Sequence, residues 1–215
     1  MINNFHILAE RNSGTNYIER LIPKAFDIPI TFDFGPKHFM GLSNEAIAKS
    51  NDTLFLCLVR NPYDWLTALF NAKHHVPFHM TTFEKFLLSE WYSIHHSKGH
   101  PDYGKERMDD RYWMDNTRHK NICEMRSRKF KYLKHDITNL AKNRYHIRYE
   151  DLCNNISGVL TDMSYKFNLN LNKNYENPIK KPPYKIPKYH LNIINENIDW
   201  ETESLFDYEI DKRVY

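Results

Sequence analysis

The chain has 215 residues, with 30 basic and 27 acidic side chains for a formal net charge of +3, and twelve histidines. At 41% hydrophobic and 27% charged it has the composition of a folded domain, long enough for one sizeable α/β core and short of two. The small basic excess fits a phosphorylated small ligand and gives no ground for a nucleic-acid face, which concentrates charge.

The cysteines Cys57, Cys123 and Cys153 are odd in number and form no CxxC pair, which excludes a zinc ribbon or a disulfide framework and points to a reducing compartment. After Met-Ile-Asn-Asn comes an apolar run of about five residues, too short for a signal-peptide core, and no stretch approaches the ~20 needed to span a membrane. No membrane association is expected.

Phe5–Glu10 reads as a short buried strand, followed by a polar turn over Arg11–Asn16. Tyr17, Ile18, Leu21 and Ile22 recur at helical spacing, and Pro23 predicts the end of that helix. Pro29–Phe34 is a second strand candidate, and Ser43–Ser50 a short helix capped by Ser43 with Ala46 and Ile47 turned inward. Thr53–Val59 is continuously apolar, as a central parallel strand covered on both faces must be.

Asn61 caps a following helix with Pro62 at its first position and Trp65, Leu66, Leu69 and Phe70 along its buried stripe. Thr82–His95 predicts a further amphipathic helix. The polar stretch 97–117 reads as an insertion or lid, and Arg118–Lys142 as one long helix. His146–Tyr149 is a late strand, and Asp151 opens a helix to about Phe167. Residues 168–215 form a segment rich in Pro and Lys with a short acidic helix near Asn195–Phe206. Strands alternating with helices predict a single α/β domain over 1–215, with a mainly parallel sheet between helical layers.

Two strand-to-helix turns carry chemistry. In the first, FHILAE leads through Arg11, Asn12, Ser13, Gly14, Thr15 and Asn16 into the helix of Tyr17. Such a turn aims backbone N–H groups and a helix N-terminus at one point, which favours an oxyanion. A plain βα turn with Gly14 at positive φ is the other reading. A nucleoside-triphosphate P-loop needs an opening Gly and a Lys after its last Gly; both are missing, so a triphosphate with metal fits poorly. The second turn is Val59-Arg60-Asn61-Pro62, and Arg60 there serves either a second phosphate on the same sheet edge or an ion pair with Asp64.

Arg11-Asn12-Ser13-Gly14-Thr15-Asn16-Tyr17 resembles the 5′-phosphosulfate loop of sulfotransferases, usually Pro-Lys-Ser-Gly-Thr-Thr-Trp. Leu58–Pro62 is similar to that family's 3′-phosphate strand and helix, and Tyr149-Glu150-Asp151 to its Tyr-Glu-Asp signature. The likeness spans residues 5–74 well and 118–167 loosely. It implies a P-loop NTPase-like sulfotransferase fold of three α/β/α layers. It also implies metal-independent sulfuryl transfer from 3′-phosphoadenosine-5′-phosphosulfate (PAPS) to a small-molecule or glycan hydroxyl or amine, with adenosine 3′,5′-bisphosphate (PAP) as product.

By that resemblance Ser13, Gly14, Thr15 and Asn16 hold the 5′-phosphosulfate, Arg60 the 3′-phosphate, and Tyr17 and Tyr149 lie near adenine. Two positions depart from it. The loop lysine is Asn12, leaving Arg11 or Lys37 to supply charge. The serine eight residues after the 3′-phosphate arginine is Ala68, for which Thr67 stands in from about 100° around the helix. His38 beside Lys37 is the candidate base, with Glu10, Glu19 and Asp33 as fallbacks.

The expected setting is the cytoplasm of a bacterium or a virus-infected cell. A small-molecule kinase on the same fold, and a non-catalytic binder of phosphorylated ligands or RNA, are the competing readings. His74-His75…His79 and His95-His96…His100 share an HHxxxH spacing, but Pro77 and Gly99 interrupt helical presentation, so solvated or acceptor-facing histidines and no metal are expected. Lys180, Lys181 and Lys185 offer further charge for the 3′-phosphate or a solvated basic stretch, and Arg126 and Lys129 face either an acceptor or solvent.

Overall fold

The computed structural model describes residues 1–38, 40–41, 44–172, 174–178 and 184–211. The expected cap Ser43 and the tail residues Lys180 and Lys181 lie outside them. Contacts divide the chain into two compact units, Met1–Asn61 with Leu133–Pro182, and Pro62–Tyr132 with Pro183–Tyr215.

The first unit is an α/β fold around a small parallel sheet. Strands β1 (Asn4–Ala9), β2 (Thr53–Val59) and β3 (Arg144–Arg148) lie in the order β1-β2-β3. Register aligns Ala9 with Leu58 and Leu58 with Ile147. All seven β2 side chains are buried, because both faces are covered. On one face Phe5, Ile7, Ala9, Leu54, Leu56, Leu58 and Ile147 share a core with Ile18, Leu21 and Ile22 of α1 (Thr15–Phe26) and Leu152, Leu160 and Met163 of α7 (Tyr149–Phe167). On the other, His6 and Phe55 meet Phe34 edge-on, and the His146 ring bonds the Leu133 carbonyl at 3.0 Å. The Cys57 thiol sits fully buried in β2, where desolvation pushes its pKa up to about 12.

Several boundaries differ from expectation. Pro23 lies inside α1 rather than ending it, because Ala25 and Phe26 continue the buried stripe for another turn before Asp27 closes the helix at φ 55°. Residues 29–34 make a single parallel bridge, Ile30 to Phe5, instead of a strand; Thr31 still donates to the Phe5 carbonyl, but the chain then turns and leaves Phe32 exposed. Helix α2 is Asn44–Lys49, with Ile47 buried and Ala46 exposed. Helix α7 is interrupted at Asn155 (φ −147°, ψ 58°), whose side chain accepts from the Gly158 N–H and so caps a fresh helical segment.

The second unit holds α3 (Pro62–Ala72), α4 (Phe83–Leu88), α5 (Ile122–Lys131), α8 (Lys188–Asn197) and α9 (Trp200–Ser204). Its core joins Trp65, Leu66 and Leu69 to Phe83, Phe86, Leu87, Trp91, Ile122, Met125 and Ile194. The expected helix 82–95 stops at Leu88, because residues 91 and 94 are drawn into backbone pairing with His119 and Glu106. The expected helix 118–142 starts only at Ile122, where Asn121 caps it by accepting from the Glu124 N–H; a π-helical turn, Tyr132–Asp136, then separates α5 from α6 (Ile137–Leu140). The acidic tail helix is two helices, with Asp199 capping α9 through the Thr202 N–H.

Arg126 and Lys129 do not face solvent. Arg126 donates to both Glu203 carboxylate oxygens at 2.5 and 2.8 Å and stacks on Trp65 and Phe130, while Lys129 bonds Asp110 at 2.8 Å. Among the described residues no helix is long and apolar enough to cross a membrane.

Removing one partner of a buried pair strands the other charge. Glu203→Ala is therefore expected to destabilise the protein by about 3–5 kcal/mol in urea unfolding, and Arg126→Met with Glu203→Leu to recover most of that loss. His119 gives a pH signature. Its ring is buried, its Nδ1 accepts from Arg128 at 3.2 Å, and desolvation, then the charges of Lys129 and Arg128, push its pKa down to about 4. The unfolded chain takes up a proton near pH 6.5 that the folded ring refuses. The His119 contribution is thus full above about pH 6.5 and lost toward pH 4, by up to about 3 kcal/mol. Stability against pH for His119→Gln should lack that part of the slope.

Candidate anion-binding site

Three parallel strands end together, so the segments leaving Ala9, Val59 and Arg148 emerge on one edge of the first unit's sheet. Ile30 bridges β1 on one side and β2 pairs with it on the other. The chain therefore runs from β1 to one side and then crosses back to β2 on the other, a reversal of the kind that opens a crevice beyond a strand's carboxyl end.

The loop after β1 fills that position. Asn12 (φ 60°) and Gly14 (φ 96°, ψ 14°) are both left-handed, and Ser13 between them donates back to the Glu10 carbonyl at 3.4 Å. The Gly14 carbonyl accepts from the Tyr17 and Ile18 N–H groups and starts α1, whose first-turn N–H groups point toward the loop. Ser13 is fully buried. Its Oγ and the Asn12 Nδ2 are buried polar atoms with no hydrogen-bond partner among the described residues. Arg11 and Thr15 are buried, and Asn16 is exposed.

Arg60, the first residue after β2, crosses to this loop. Its Nη1 donates to the Asn12 carbonyl at 2.8 Å, and its guanidinium carbon lies 4.8 Å from the centre of the Tyr149 ring. The next residue, Asn61, donates its backbone N–H to the Glu150 carboxylate at 2.9 Å. Sequence reasoning placed Arg60 and Tyr149 separately but missed Glu150 as the tie between β2 and α7. An acid in the first helical turn after Arg148 was the available signal. Burial, then the Cys153 thiol, pushes the Tyr149 hydroxyl up to about 12.

Lys37 and His38 are fastened to the end of β1. The Ala9 N–H donates to the Lys37 carbonyl at 3.0 Å, and the His38 Nδ1 bonds the Ala9 carbonyl at 2.8 Å. A carbonyl only accepts, so Nδ1 carries the hydrogen of the neutral ring. The Lys37 ammonium reaches Asn16 Oδ1 at 2.6 Å and Glu19 at 3.1 Å, which sets its charge beside the start of α1.

Of the fallback bases, Glu10 is buried, Glu19 is engaged by Lys37, and Asp33 is exposed. Tyr17 donates its hydroxyl to the Glu176 carbonyl at 2.8 Å, and burial raises its pKa to about 12. Thr67 belongs to the second unit, where its hydroxyl donates to the Tyr63 carbonyl at 2.7 Å. The loop residues, Lys37, His38, Arg60 and Tyr149 all belong to the first unit.

Gly14 is required twice over. Its φ is left-handed, and a Cβ there would stand 2.6 and 2.7 Å from Tyr149 Cδ2 and Cε2. Gly14→Ala is expected to destabilise by about 1–3 kcal/mol in thermal or urea unfolding. Adding Tyr149→Ala should relieve the clash and recover only part of that loss, since the backbone strain stays.

No protein-family model matches the chain, and no curated protein is significantly similar to it.

Proposed function

We propose that the first unit binds PAPS and transfers its sulfuryl group to a hydroxyl or amine, with PAP leaving and no metal taking part. The observation that carries this reading is the Arg60 bond to the Asn12 carbonyl, which ties the loop after β1 to the end of β2. A ligand with two separated phosphate groups suits two cationic strand ends held side by side. The orphaned, buried Ser13 hydroxyl within the loop supports an oxyanion there. The parallel sheet with covered faces is compatible with the three-layer sulfotransferase architecture, which is part of the same proposal.

In this reading the 5′-phosphosulfate lies at the loop of Ser13, Gly14, Thr15 and Asn16, and the 3′-phosphate at Arg60. Tyr149, packed under Arg60, and Tyr17 offer flat surfaces to adenine. The acceptor oxygen or nitrogen forms a bond to sulfur as the bond from sulfur to the 5′-phosphate oxygen breaks, and PAP departs with that electron pair. The acceptor proton goes to the His38 imidazole. The Lys37 ammonium and the α1 N-terminus stabilise charge on the departing phosphate oxygen. Asn12 in the loop-lysine position leaves that duty to Lys37 and Arg11. The acceptor is a small molecule or glycan, and the reaction needs neither membrane nor nucleic acid.

The test is thermal stabilisation by PAP, ATP with magnesium, and AMP, on wild type and on Arg60→Ala. PAP at about 100 times its dissociation constant adds about 2.7 kcal/mol. PAP alone should shift the wild-type midpoint, and the shift should vanish in Arg60→Ala after correction for that variant's own midpoint. His38→Gln should keep the PAP shift and lose about 10²–10⁴-fold in sulfuryl transfer. Stabilisation by ATP with magnesium would overturn the proposal in favour of a kinase. PAP binding without turnover of PAPS would overturn its catalytic part.

A further inference from the structure

The second unit carries a cluster independent of the loop after β1. His95, His100 and Asp102 each offer one ligand atom, and these atoms lie within 4.8 Å of one another. The His95 and His100 rings stack at 4.2 Å between centroids and 15° between planes. Four residues lie between the two histidines, Gly99 among them, so a loop rather than a helix turn brings them together.

That loop is closed by its own backbone. His95 donates to the Lys105 carbonyl at 2.9 Å, and Gly104 donates to the His95 carbonyl at 2.8 Å. Inside the ring, His100 donates to Ser97, Tyr103 to His100 and Lys105 to Asp102, at 2.9–3.0 Å. Gly104 takes φ 79° at the closing turn. The three candidate ligands are thereby ordered by the backbone before any ion arrives, which lowers the entropic cost of gathering them.

The chemistry of the set is specific. Two imidazoles and one carboxylate suit Zn²⁺, or Ni²⁺ and Cu²⁺ in the same nitrogen-rich class, and suit Mg²⁺ and Ca²⁺ poorly. Lys105 bonds Asp102 Oδ1 at 2.9 Å and so shares the carboxylate with the cluster. The other oxygen, Oδ2, is the one nearest His100 Nδ1, at 4.0 Å. The Asp102 N–H donates to that same Nδ1 at 3.1 Å, a bond that His100 gives up when its ring turns to the metal. Ligand atoms on a tetrahedral zinc sit about 3.3 Å apart, given Zn–N near 2.0–2.1 Å. Rotation of His100 and Asp102 side chains, exposed and half-buried respectively, covers that difference.

We propose that His95, His100 and Asp102 form a three-ligand site for Zn²⁺ that clips the loop 95–105 of the second unit and leaves one coordination position open. Lys105 moderates its affinity by sharing Asp102. Metal and protons compete for the imidazole nitrogens, so binding weakens as the pH falls.

The test is titration of the full chain with Zn²⁺ against a chromophoric chelator, with Co²⁺ absorption as the readout of coordination. Wild type should bind one equivalent. His95→Ala and His100→Ala should each weaken it at least tenfold, whereas His74→Ala with His75→Ala should leave it unchanged. Lys105→Met should tighten binding several-fold. Circular dichroism without metal separates loss of ligand from loss of fold, since these half-exposed side chains belong to no core cluster. An equivalent retained in the His95→Ala, His100→Ala double variant, or no binding by folded wild type, overturns the site.

Discussion

Complete burial of β2 is the constraint from which the first unit follows. Every one of its seven side chains is enclosed, so both faces need cover and both edges need a parallel neighbour. Parallel neighbours in turn need crossover connections, and these bring all three strands out at the same edge. The loop of Glu10–Gly14, Arg60 and Tyr149 meet there because the sheet has no other way to be built. Their chemistry is a consequence of strand direction before it is a matter of side-chain choice.

Charge at that edge is arranged differently from a triphosphate P-loop. No lysine follows Gly14, and Arg60 at the end of the neighbouring strand bonds the loop backbone instead. Arg60 uses one nitrogen on the Asn12 carbonyl and lies over Tyr149, a geometry that holds a planar guanidinium far better than a flexible ammonium. Lys37 contributes from the other side of β1, held by Asn16 and Glu19. Two cations fixed by separate elements favour a ligand whose anionic groups are themselves apart.

What the sequence revealed and what it hid divide along physical lines. β1 and β2 were legible within a residue because continuous apolar runs have few alternatives at that length, β3 only within two because RYHIR carries no such run, and α3 because Pro62 and its stripe agree. The 29–34 strand failed since alternation predicts exposure on one face but not whether a partner edge exists; only Ile30 found one. The helix over 82–95 failed for a related reason. Trp91 and Ile94 carry helical spacing, yet backbone pairing with residues distant in sequence claimed them. Pro23 was overridden by burial of Ala25 and Phe26. At the candidate site the strand-end residues could be read from motif, whereas the Glu150 link to Asn61 could not, because it joins residues 89 apart.

The second unit shows why charge in a sequence is a poor guide to surface. Arg126 and Lys129 lie on a helix whose average character is polar, and both are buried in ion pairs with Glu203 and Asp110. Asp110 comes from the stretch read as a polar insertion and Glu203 from the one read as a short acidic helix. Burying two charges together gains little over a hydrophobic pair of equal volume, because desolvation offsets the attraction. What such pairs do impose is a choice of partner. Arg126 satisfied at both oxygens of Glu203, between Trp65 and Phe130, leaves α5 one favourable rotation against α9, and any other setting strands a guanidinium in an apolar core. Specificity of packing, rather than net stability, is the physical return on these residues.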